Sequence, residues 1–99
     1  MIIYEVNLTI QTEIYNDFHK WLNRHIDEML EYDGFINAKM FYPVENLKSK
    51  KKICIQYSVY SKDDLDNYLI NHAKKMRGEA INLFGNSFTA KRRIMNYKQ

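Results

Sequence analysis

One cysteine, one proline, one tryptophan and three glycines in 99 residues leave little of what usually staples or punctuates a small fold. Cys54 alone cannot close an internal disulfide, and no second Cys or nearby His completes a zinc-ligand spacing, so neither a structural metal nor a cofactor is expected. No uncharged apolar run approaches the roughly 20 residues that a membrane-spanning helix needs. The first strand pattern starts at Met1 or Ile2 with no basic leader before it, so a cytoplasmic location is expected. Charge of one sign is also scarce, with 15 Lys and Arg against 12 Asp and Glu. The excess owes much to Lys48, Lys50, Lys51 and Lys52 and to Lys91, Arg92 and Arg93, two short runs that do not by themselves demand an acidic partner.

What is present is a hydrophobic period that switches from two to about 3.6 and back, twice. Ile2, Tyr4, Val6, Leu8 and Ile10 alternate with Ile3, Glu5, Asn7 and Thr9 as a first strand. Thr12 is the expected N-cap of a helix whose stripe is Ile14, Phe18, Trp21, Leu22, His25, Ile26 and Met29. Asp33-Gly34 ends it, because glycine accepts the left-handed conformation of a helix terminus. A second strand runs from Phe35 to Tyr42, with Ile36, Ala38, Met40 and Tyr42 on one face and Asn37, Lys39 and Phe41 on the other. Val44 to Lys52 reads as a solvated loop, and Ile53, Ile55, Tyr57 and Val59 mark a third strand. Ser61 and Asp64 form a capping box before Leu65, Tyr68, Leu69, His72, Met76 and Ala80, with a kink expected near Gly78. After Gly85 the alternation returns over Ser87 to Met95.

Two right-handed βαβ crossovers place both helices on one side of a four-stranded antiparallel sheet. The expected fold is a single α+β domain over 1–99, a ferredoxin-like βαββαβ sandwich. Its helix-facing core is then Tyr4, Val6, Leu8, Ile36, Ala38, Met40, Ile55, Tyr57, Val59, Phe88, Ala90 and Ile94. The other face holds neutral polar groups at its centre and apolar groups near its ends. A homodimer packed sheet against sheet is therefore expected, with Ile3, Asn7, Phe41, Gln56, Ser58 and Met95 at the interface. Glu5 and Arg93 form a cross-strand charge pair if the first and fourth strands are neighbours.

Local signatures run in order along the chain: Met1-Ile2-Ile3-Tyr4-Glu5-Val6-Asn7, Asp33-Gly34-Phe35, Cys54-Ile55-Gln56-Tyr57, His72-Ala73, Met76-Arg77, and Phe84-Gly85 through Ala90-Lys91-Arg92-Arg93-Ile94. Over nearly its whole length the chain resembles a family of short bacterial proteins catalogued as a domain of unknown function. That family is similar to the dimeric αβ-barrel group, which includes antibiotic-biosynthesis and haem-degrading monooxygenases. The resemblance implies fold and dimerisation more strongly than activity. Haem-degrading relatives combine an Asn on the first strand, here Asn7, with a Trp and a His on the second helix. His72 matches the His, but the only Trp, Trp21, lies on the first helix, a departure that argues against haem chemistry.

Tyr4, Trp21, Tyr57 and His72 are the candidate ligand-binding residues, and Tyr68 joins the first three as an aromatic wall with polar handles for a planar organic molecule between helices and sheet. His72 is the candidate catalytic residue, since an imidazole near neutrality can accept a proton. His25 and His19 are read as structural. A small-ligand or interaction module leads, a cofactor-free oxygenase is the alternative, and RNA binding is third. RNA-recognition sheets stack bases on exposed third-strand aromatics, whereas here those positions are Cys54, Gln56 and Ser58.

Overall fold

The computed structural model describes residues 1–44 and 48–98. Alternating branched and aromatic residues hold β1 (Ile2–Gln11) extended at the centre of the sheet. A 3-10 turn at Thr12–Ile14 leads into α1 (Tyr15–Met29), which buries Phe18, Trp21, Leu22 and Met29. β2 (Phe35–Phe41) and β3 (Lys50–Val59) follow, then α2 (Lys62–Asn71), α3 (Ala73–Phe84) and β4 (Phe88–Asn96). The strands are antiparallel throughout in the order β2-β3-β1-β4, the ferredoxin-like arrangement that the double crossover implies.

Period-two alternation sorts the residues of β1 and β3 between the two faces of the sheet. Tyr4, Leu8, Ile10, Ile53, Ile55, Tyr57 and Val59 pack with Phe18, Leu22, Met29 and Leu65 from the helices as one core. Ser61 begins α2 by accepting the Asp64 backbone N–H at 3.1 Å, and its hydroxyl donates to the Asp64 carboxylate at 2.9 Å. That same Asp64 lies against Gly34, where an added Cβ would come within 2.3 Å of its Oδ2. With φ at +82°, Gly34 is required there for its backbone and for its missing side chain alike.

Several details depart from the sequence pattern. Thr12 opens the 3-10 turn and makes no capping bond. A bulge between Phe35 and Asn37 shifts the β2 register by one, so that Phe35 is buried and Ile36 is 49% exposed instead of entering the core. Tyr42 lies beyond β2, exposed, with its hydroxyl 2.7 Å from His19 Nε2. Ile94 pairs with Tyr4 on the covered side of the sheet, but it belongs to the edge strand β4 and remains 44% exposed. The second helical segment breaks at His72 (φ −130°, ψ −26°), while Gly78 continues α3. The expected loop over 44–52 is shorter than its polar composition suggests, because Lys50, Lys51 and Lys52 already pair with Gln11, Ile10 and Thr9. Its residues 45–47 lie outside the described residues.

Candidate ligand-binding site

Small side chains set the site. Ala80 on α3 and Ala90 on β4 stand where longer residues would close the gap between helices and sheet, and a cavity of about 560 Å³ lies there. That volume falls within the roughly 300–1,000 Å³ of small-molecule pockets. β1 contributes Tyr4, β3 Tyr57, α1 Trp21 and His25, and α2 Tyr68. Its exposed lining residues Ile81, Gly85, Asn86, Thr89 and Arg92 come from α3, the turn after it and β4, where the cavity meets solvent.

Rings pack in series along the wall. Tyr4 lies 6.1 Å from Tyr57 and 6.1 Å from Tyr68, and Trp21 stacks on His25 at 4.6 Å with the planes 19° apart. Burial, followed by the neighbouring tyrosines, raises the hydroxyl pKa of Tyr57, and burial together with Tyr4 does the same for Tyr68, so both stay protonated at neutral pH. Burial, with the Arg92 charge adding to it, lowers His25 to about 4, leaving a neutral imidazole.

The polar bookkeeping of this cavity does not close. Arg77 reaches in from α3 and donates from Nη2 to the Tyr4 hydroxyl at 3.1 Å. Its Nε is buried without a partner, and so is His25 Nδ1. They are the two buried side-chain nitrogens or oxygens left unsatisfied among the described residues, and both belong to lining residues.

The structure thus brings Tyr4, Trp21 and Tyr57 together and leaves His72 outside, half-buried, its ring 4.5 Å from that of Tyr32. Tyr68 lines the cleft as expected, His25 lies in its wall although the sequence reads it as structural, and Arg77 and Arg92 take part without having been singled out as site residues. The signal for Arg77 is an arginine among Ala73, Met76 and Ala80, the buried positions of α3. Asn7 is exposed on the other side of the sheet, where its amide donates to Glu5 at 2.9 Å. Asn7, Trp21 and His72 therefore share no site, which leaves the haem-degrading pattern without a geometric counterpart.

The open face has different electrostatics. Glu5 is only 3% exposed although no helix covers it. Gln56 and Arg93, its direct neighbours in register, reach its carboxylate at 2.9 and 2.5 Å. The Arg93 bond, helped by Gln56 and Asn7, outweighs the cost of burial and holds Glu5 at about 2. Burial and the Glu5 charge push the Cys54 thiol up, making it a poor nucleophile.

The model of the family described as Domain of unknown function (DUF4286) matches residues 1–98, and the chain belongs to that family. No curated protein sequence matches. Among solved structures the chain is similar to a protein described as an antibiotic biosynthesis monooxygenase from Deinococcus radiodurans, at 14% identity and a TM-score of 0.75, covering 100% of this chain and 94% of that one. It is also similar to SnoaB, a cofactor-independent oxygenase from Streptomyces nogalater (13% identity, TM-score 0.72, covering 99% and 94%). A third is an ethyl tert-butyl ether d (ethd) family protein from Bacillus halodurans (17%, TM-score 0.67, covering 99% and 100%). At these identities the likeness establishes the fold alone.

Proposed function

We propose that this member of the DUF4286 family binds a planar aromatic molecule in the cavity between helices and sheet. The observation that carries the reading is the coincidence of an aromatic-walled cavity with the two unsatisfied buried nitrogens, His25 Nδ1 and Arg77 Nε. An unpaired buried polar group costs about 1–3 kcal/mol, a cost that a hydrogen-bonding ligand removes. Tyr4, Trp21 and Tyr57 supply ring faces, and His72 supports the wall through Tyr32 without touching the ligand. A thermal-shift screen of bicyclic and tricyclic aromatics tests this. Binding at 100 times the dissociation constant adds about 2.7 kcal/mol of stability. Ala80→Phe, which fills the cavity, should abolish the shifts while the protein still melts cooperatively. An absence of hits at millimolar ligand, or hits that survive Ala80→Phe, would overturn the reading.

Oxygenation without a cofactor is the second reading. Its specific support is Arg92 near His25 at the cavity: the guanidinium stabilises a phenolate, and the unpaired His25 ring nitrogen holds the substrate by a hydrogen bond, since an imidazole held at about 4 is too weak a base to take the phenolic proton itself. Oxygen uptake with a phenolic or quinoid compound, lost in His25→Ala and kept in His72→Ala, would favour it over binding alone.

The open sheet face supports a homodimer contact through Ile3, Asn7, Phe41, Gln56, Ser58 and Met95. These six share one face by register, and the one acid at its centre, Glu5, is already neutralised by Arg93. Sedimentation at micromolar concentration should give twice 12.0 kDa. A strict monomer would dismiss the dimer and leave the cavity reading untouched.

A further inference from the structure

The cavity's charge is one-sided. Arg77 and Arg92 line it, and no Asp or Glu does so among the described residues. Among the described residues Arg77 makes no ion pair; its one side-chain bond goes to a neutral phenol, the Tyr4 hydroxyl, and its Nε is buried and unpaired. A half-buried guanidinium in apolar surroundings carries a desolvation cost that an anion offsets more fully than a neutral aromatic ligand does. Arg92 stands opposite Val6 in the sheet register, which turns it toward the helix-covered side. Among the described residues no other charged group asks so clearly for a missing partner: Glu5 has three and the exposed Lys62 pairs with Asp66.

We infer that the ligand of this cavity is an aromatic carboxylate, its ring between Tyr4, Tyr57 and Trp21 and its carboxylate on Arg77, with Arg92 at the entrance supplying the second positive charge. The inference rests on the cavity being a ligand site and adds the ionised group. A carboxylate suits the site better than a phenol because its two oxygens match the planar guanidinium fork and it is already ionised at neutral pH. The neutral His25 ring nitrogen remains as a hydrogen-bonding partner that adds no charge.

Calorimetric titration of the full chain with 2-naphthoate, methyl 2-naphthoate and 2-naphthol separates the possibilities. The acid should bind about tenfold or more tighter than its ester, the difference that one charge-assisted hydrogen bond supplies. Arg77→Met should remove that preference while retaining ester binding, Arg77→Gln serving if the methionine variant does not fold. Lys91→Met, which removes an exposed cation on the open face opposite Asn7, should leave the preference intact. Equal binding of acid and ester by the unaltered protein would overturn the carboxylate and keep the aromatic site, as would tightest binding of 2-naphthol. A preference that persists in Arg77→Met would overturn the role of Arg77. Binding of none of the three would overturn the cavity as an aromatic site, and the carboxylate with it.

Discussion

Two charged groups, one on each side of the same sheet, are treated in opposite ways. Glu5 sits on the face without helices yet is nearly inaccessible, and Asn7, Gln56 and Arg93 satisfy its carboxylate. Arg77 sits on the helix side beside an aromatic cavity and keeps a buried Nε with no acceptor. A fully partnered charge is part of the architecture, since removing it leaves its neighbours unpaired. A partly partnered one beside a cavity is the group that the proposed ligand would complete.

The largest test of this contrast uses one residue type on the two faces. Phe18, fully buried among Trp21, Phe84 and Phe88, should lose about 3–5 kcal/mol on truncation to alanine in urea unfolding. Phe41, 45% exposed on the open face, should change the stability of the dilute chain by no more than about 0.5 kcal/mol. A larger Phe41→Ala effect at high concentration that fades on dilution would assign that face to a partner copy.

A smaller effect is expected at Glu5. Its folded pKa of about 2 lies below the ordinary 4.5, so the unfolded chain binds the proton first as pH falls. Glu5 therefore stabilises the fold above about pH 4.5, and this contribution drains away towards pH 2. Glu5→Gln should cost about 1–3 kcal/mol at pH 7 and flatten that acid limb. If the limb keeps its slope, Glu5 is not the group that joins β1, β3 and β4 electrostatically.

At pH 7 the smallest effect belongs to His25, on the other side of the sheet, because its imidazole is largely neutral in both states there. Its folded pKa of about 4 is below 6.5, so the unfolded state again takes the proton first, and stability declines as pH falls from about 6.5 towards 4. His25→Phe should remove this decline. A ring titration by NMR with a midpoint near 6.5 would mean that the imidazole is wetter than its packing against Trp21 implies.

The two sides of the sheet also differ in how legible they are in the sequence. The Glu5–Arg93 pair follows from strand alternation and topology, because antiparallel neighbours place side chains in register. The site does so only in part. Tyr4, Trp21 and Tyr57 stand out as aromatics at strand or helix spacing, but His72 carries the same spacing and points to Tyr32 because the helix breaks at that residue instead of at Gly78. A period of 3.6 cannot register a break that leaves the apolar count unchanged. Ile36 fails for a related reason, since a one-residue bulge reverses facing without altering composition.

The sequence by itself determined the order of elements, the antiparallel four-stranded sheet, the capping box at Ser61 and most of the core, because each rests on local periodicity and short-range hydrogen bonding. Only the tertiary structure decided which histidine faces the cavity, that Arg77 keeps an unpaired nitrogen there, and that Ala80 and Ala90 leave the space unfilled. Those properties depend on what lies across a gap between elements far apart in the chain, and a gap has no pattern in one dimension.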